Sequence, residues 1–325
     1  MIEINKLNAR IYSKLGQSGA SFGIGLFDVL KTSPDIIVLS ADMSTTAGLD
    51  RFKSMYPDQF YNVGIAEQNL IGIAAGLSSE GKKIIVTAQA AFISMRSCEQ
   101  VRQYMGYMHS NIIAVGLGAG FALTFFGNTH YAIEDISIMR SIPGMIILSP
   151  SDAGQAAKAL VAAAELNSPV YIRFTGTMNC PIVYQEDYNF EVGKAIQVKD
   201  GTDITVFATG SMVFNSLKAA HILESFGLSV QVIDMHTIKP LDTDILNKCC
   251  DSNFFVSVEE HNIIGGLGTA ISEYIASKKD FPTLHRIGVM DIFSHPGDYA
   301  HLLEQNRLQP EQIAEDILSN YKSNI

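Results

Sequence analysis

Short runs of β-branched residues alternate with stretches of helical periodicity along most of the chain. This alternation limits the fold more than any other feature of the sequence. Strand candidates are DIIVLSA (35–41), KKIIVTA (82–88), NIIAVGLG (111–118), GMIILSP (144–150) and PVYIRF (169–174). Between them lie helix-like stretches, including 66–79 and 151–166, the latter with Ser151 as its expected N-cap. Nearly continuous apolar strands separated by helices indicate a parallel sheet covered on both faces. Such sheets bind ligands at the carboxyl ends of their strands. A polar stretch, GTMNCPIVYQEDYNFEVG (176–193), then reads as a linker. A second series follows at 203–210, 228–235, 253–260 and 284–289, with helices near 211–226 and 266–278 and a terminal helix in QPEQIAEDILSNYK. The expected fold is therefore α/β, with two domains at 1–185 and 186–325, the second smaller and with a mixed sheet.

Bulk properties narrow the function classes. The 325 residues are 47% hydrophobic and 17% charged, a globular rather than disordered composition. A formal charge of −10 without any dense Lys/Arg run argues against a nucleic-acid binder. The most membrane-like stretch, IIAVGLGAGFALTFF (112–126), is shorter than the ~20 residues of a spanning helix and reads as a buried strand and loop. Residues 1–15 lack the apolar core of a signal peptide. The four cysteines, Cys98, Cys180, Cys249 and Cys250, form no CxxC and no pattern with nearby histidine. They read as reduced structural thiols of a cytoplasmic protein, and no metal site is expected on this chain.

One segment stands out chemically. FYNVGIAEQNLIGIAAGL (60–77) holds a single acid, Glu67, at the start of a predicted helix. Leu70, Ile73, Ala74 and Leu77 form an apolar face at helical spacing. The glutamate is either solvated or a buried carboxyl held to hydrogen-bond a ligand, and burial alone would favour its protonated form. Phe92 reads equally as a core residue or a stacking surface. His130, in a loop after a predicted strand, is either structural or a substrate ligand. GGLG (265–268) and GQSGASFG (16–23) resemble phosphate loops only weakly. The first reads as close helix packing, and the second lacks the lysine and spacing of a P-loop.

Taken together, NVGIAEQNLIGIAAGL, KKIIVTA with Phe92, RSCEQVR (96–102), GNTHYAIEDISIMRSIPGMIILSPSD (127–152) and VEEHNIIGGLGTAISE (258–273) resemble transketolases and 1-deoxyxylulose-5-phosphate synthase. The motifs occur in family order over nearly the whole chain. The resemblance implies a pyrimidine-binding parallel-sheet domain for thiamine diphosphate, followed by a transketolase C-terminal-like domain. In that family the glutamate matching Glu67 bonds the aminopyrimidine N1′ and stabilises the imino tautomer, whose nitrogen deprotonates the thiazolium carbon. Phe92 matches a residue that stacks on the aminopyrimidine. Ile65, Gln89 and Arg96 are the further implied cofactor contacts, with Gln89 and Cys98 at positions often aromatic in the family. His130 matches a histidine that reaches substrate and can hydrogen-bond a hydroxyl or developing alkoxide. His261 lies in a motif that more often packs an interface, so it ranks below His130 as a substrate contact.

The departures are equally informative. The GDG motif that holds Mg²⁺ and the diphosphate is absent. The chain is thus expected to be the second subunit of a split transketolase. A partner chain carrying GDG would hold Mg²⁺, and family symmetry implies an α2β2 assembly. Phe125 and Phe126 replace two acids and are candidate apolar walls for substrate. Gly118 and Ala119 stand where many transketolases have a His-Asp pair. Gly176 and Gly19, or a neighbour, stand where phosphate-binding arginines are expected, and glycine supplies no charge. The implied reaction is two-carbon ketol transfer between sugars, with an unphosphorylated or nucleotide-linked substrate. The competing readings are the β-subunit of a 2-oxo-acid dehydrogenase, which needs a lipoyl carrier, and a non-catalytic scaffold.

Overall fold

The computed structural model describes residues 2–324. The first series of strands is β1 (Ile37–Ser40), β2 (Phe60–Asn62), β3 (Ile84–Gln89), β4 (Ile112–Leu117), β5 (Ile146–Leu148) and β6 (Val170–Phe174). The second is β7 (Ile196–Lys199), β8 (Ile204–Ala208), β9 (Val230–Asp234), β10 (Thr237–Lys239), β11 (Phe254–Asn262) and β12 (Leu284–Val289). They build a seven-stranded sheet ordered β10-β5-β6-β4-β3-β1-β2 and a five-stranded sheet ordered β12-β11-β8-β9-β7. Every residue of β4 and β6 is buried, as the unbroken apolar runs require of strands covered on both faces. The second sheet is mixed because β7 runs antiparallel to β9.

The first sheet is not built from the first half of the chain alone. β10 pairs antiparallel with β5, Thr237 opposite Leu148, so the second half supplies an edge strand to the first sheet. Three residues are too few for periodicity to reveal such a strand.

Two local expectations shift. The helix expected over 151–166 runs Ala153–Glu165, and its N-cap is Asp152 rather than Ser151. The Asp152 carboxylate accepts the Gln155 N–H and the Val183 and Tyr184 N–H groups of the linker. Ser151 instead faces inward and donates to Asp234. The helix opening at Glu67 buries Leu70, Ile71, Ala74 and Ala75. Ile73 is 37% exposed, so the buried stripe lies one position round from the face expected.

Buried polar groups join the layers. Arg173 on β6 is fully buried and bonds both oxygens of buried Asp135 at 2.9 and 3.1 Å. Tyr171 donates to the same carboxylate at 2.8 Å, and Arg173 also reaches the Glu260 carbonyl of the second domain. The paired charges lie too deep for water to replace either partner.

A second junction holds the linker. Asp234, at the end of β9, accepts from Ser151 and Gln155 of the first domain and from Tyr184 of the linker. Tyr184 stacks on Tyr188 with ring centroids 3.9 Å apart. Burial raises the Asp234 carboxyl to about 7 despite its three donors. A folded pKa above the unfolded one means the native state holds the proton more tightly. Ionising Asp234 therefore costs stability progressively as pH rises from about 4, the unfolded value, to about 7, and by a constant amount above. Asp234→Asn removes that cost. The melting temperature of the variant minus that of the wild type should widen by at least about 3 °C across this window and then level off. Calorimetric melts would show it, and a pH-independent gap would contradict it.

Candidate active site

The carboxyl ends of β1, β3 and β4 converge where the strand order leads towards the sheet edge at β2. Glu67 is the first residue of the helix Glu67–Ser79, just after Gly64, whose φ of +75° lets the chain turn from β2 into the helix. This brings a carboxyl that is only 3% exposed to the wall of a cavity of about 230 Å³. Ile65, Gln89, Phe92 and His130 share that wall, together with Ala41, Asp42 and Met43 from the end of β1.

The glutamate is not alone. Arg96 Nη1 donates to Glu67 Oε2 at 2.7 Å. The same guanidinium lies 4.0 Å above the centre of the Phe92 ring. Phe92–Arg96 forms one wide π-type turn, closed by the Ser97 N–H to the Phe92 carbonyl at 3.1 Å, which lets Arg96 lie over Phe92 while it bonds Glu67. Glu67 is therefore not an isolated buried carboxyl but one member of a charge-assisted pair seated on an aromatic face.

His130 completes an aromatic cluster. Its ring centroid is 5.1 Å from that of Phe92 and 4.9 Å from that of Phe126. Thr129 Oγ1 lies 2.9 Å from its Nδ1 and orients the ring. Gln89 Oε1 is buried at the end of β3 without a hydrogen-bond partner. An unpaired buried acceptor in one cavity with an acid and an aromatic ring suits a flat heterocycle that both donates and accepts.

Not every expected residue reaches the site. Phe126 packs on His130, but Phe125 is 85% exposed and does not line this cavity. His261 is fully buried between the domains. Its Nδ1 bonds the Asn262 carbonyl at 2.6 Å, and its Nε2 lies 3.4 Å from the Ser137 N–H. Burial lowers its pKa to about 4, which keeps the ring neutral and leaves no nitrogen for a substrate. The GGLG turn is filled from within. Glu259 accepts the Leu267 and Gly268 N–H groups at 2.6 and 2.9 Å, occupying the helix N-terminus that an anion would use. GQSGASFG is helical apart from a kink at Gly16.

Sequence reasoning missed Asp42 and Asn62. Asp42 has a φ of 57°, and its N–H donates to Asn62 Oδ1, while Asn62 Nδ2 donates back to Asp42. These bonds fix the ends of β1 and β2 against each other. The available signal was position, an acid directly after a parallel strand. Among the described residues there is no cluster able to hold a metal ion, and no helix long and apolar enough to cross a membrane.

Residues 19–179 match the transketolase pyrimidine-binding domain and residues 193–313 the transketolase C-terminal domain. The chain belongs to the transketolase family. A transketolase C-terminal section of Methanocaldococcus jannaschii is 38% identical, over 93% of this chain and 95% of its own. One of the subunits of an apulose-4-phosphate transketolase from Phocaeicola vulgatus is 35% identical, over 85% of this chain and 92% of its own. The SqwH chain of a 6-deoxy-6-sulfo-D-fructose transketolase from a Clostridium species is 35% identical, over 89% of each chain. The chain spans 48% of a 1-deoxy-D-xylulose-5-phosphate synthase from Chlorobium luteolum, at 32% identity. Among solved structures, a split-gene transketolase in the form of an inactive β4 tetramer superposes with a TM-score of 0.87, at 34% identity and over 95% of this chain and 99% of its own. Its relatives place this chain among the subunits of split transketolases, whose family depends on thiamine diphosphate.

The Glu67–Arg96 pair can be tested directly. Arg96→Met keeps the apolar stem over Phe92 but leaves a buried carboxylate without its cation. It should cost about 1–3 kcal/mol in urea unfolding, while Arg96→Lys recovers part of the loss. Unchanged stability in the methionine variant would show that the pair does not hold Glu67.

Proposed function

We propose that this chain is the pyrimidine-binding subunit of a split, thiamine-diphosphate-dependent transketolase that moves a two-carbon ketol unit between sugars. The observation that carries the reading is the buried Glu67 carboxyl, bonded to an Arg96 guanidinium that lies on the Phe92 ring, in one cavity with the unpaired Gln89 oxygen. When bound, the cofactor supplies a nucleophilic carbon for breaking and making the bond beside a ketose carbonyl. Glu67 would hold the aminopyrimidine nitrogen and keep a proton there. Phe92 and Ile65 would bracket the ring, and Gln89 would accept from its amine. Arg96 would then yield part of the Phe92 face. His130 would bond a substrate hydroxyl and stabilise negative charge forming on its oxygen.

The cavity of about 230 Å³ is smaller than a typical site for a whole cofactor. That size supports a site completed by a second chain, which would carry the GDG motif, Mg²⁺ and the diphosphate. We therefore assign activity to an α2β2 complex in the cytoplasm, with the chain alone inactive, as the β4 tetramer of the split-gene relative is. The domain boundary falls near residue 185, inside the segment bound by Asp152 and Asp234.

Glu67→Gln keeps shape and one hydrogen bond but cannot hold or release the proton. In the assembled complex it should lower turnover by about 10²-fold or more, with much less effect on subunit association. Turnover equal to wild type would favour the scaffold reading.

A further inference from the structure

A second cavity, of about 440 Å³, adjoins the Glu67 site, and Met43 lines both. It lies over the carboxyl ends of β1, β4 and β6, next to the wall that carries Glu67. Leu15, Leu117, Leu123, Phe174 and Met178 form most of its surface. The polar side chains on its walls are the hydroxyls of Ser18, Thr45, Thr46 and Thr177, and no ionisable side chain lines it. Gly19 and Gly176 add no side chain. Gly118 has a φ of +68°, and a Cβ there would come within 2.5 Å of Leu123 Cγ. Leu123 thus fills the space that a polar side chain at 118 would need.

We infer that this cavity receives the far end of the transferred or accepting sugar, and that this end is uncharged and apolar, as in a deoxy sugar. The inference rests on the transketolase reading and adds the substrate class to it. A phosphate placed here would lose water against leucine and phenylalanine with no cation of this chain to replace it. Hydroxyls match the remaining sugar hydroxyls, and the leucines match a methyl or larger apolar group.

The test compares 5-deoxyribose with ribose 5-phosphate, which share C1 to C4 and differ at the far end. Calorimetry on the complex with the partner subunit, loaded with cofactor and Mg²⁺ but without a donor sugar, reads binding independently of turnover. The expected result is 5-deoxyribose bound at least about 10-fold more tightly than ribose 5-phosphate. Leu15→Arg, at a position 39% exposed on the cavity rim, should shift that ratio at least about 10-fold towards the phosphate without lowering the melting temperature. Equal or tighter binding of the phosphate by the wild type, or binding of neither sugar, would overturn the inference. Ketol transfer that prefers the phosphate would keep the transketolase reading and sink this one. Tight 5-deoxyribose binding without transfer to any sugar would do the reverse.

Discussion

A carboxylate withdrawn from water has to be held by something else, and the site is arranged around how Glu67 is held. Its place on the buried face of its helix removes nearly all solvent, and Arg96 supplies the compensating charge at 2.7 Å. The guanidinium is in turn anchored on Phe92. Acid, cation and aromatic face therefore form one unit, and anything that stacks on Phe92 and bonds Glu67 competes with Arg96 for both. The wide turn at Phe92–Arg96 serves this unit, because it lets Arg96 lie over Phe92 while it bonds Glu67.

That unit needs a rigid floor. The parallel sheet provides it at the carboxyl ends of its strands, and the second domain stiffens the sheet. β10 extends it, Arg173 and Asp135 lock β6 to the second domain through the Glu260 carbonyl, and Asp234 ties the linker to both domains. The C-terminal domain braces the sheet and also holds the loop before His130, where Asn128 Nδ2 donates to the Ser294 carbonyl, while His261 and Glu259 are spent on packing and on a helix N-terminus.

Much of this was legible in residues alone. Fully buried parallel strands are written as unbroken β-branched runs, so the core strands of both sheets stood out. Glu67 was conspicuous because an acid in a run of small and apolar residues needs an explanation. Phe92 and His130 rested on the resemblance, since a lone aromatic or histidine has no periodicity to betray it. β10 was hidden because three residues carry too little pattern and its partner lies in the other half of the chain. Asp152 displaced Ser151 as a cap because its carboxylate also serves two linker amides, a tertiary demand invisible in local sequence. Arg96 was expected to touch cofactor, but its bond to Glu67 depends on the geometry of a π-type turn.

The central claim is that this chain holds half of a cofactor site. Calorimetric titration of thiamine diphosphate with Mg²⁺, on this chain alone and on its mixture with the partner subunit, tests it most directly. The account predicts tight binding in the mixture and little or none to the chain alone. Equally tight binding to the chain alone, or no binding to a mixture whose subunits demonstrably associate, would contradict it.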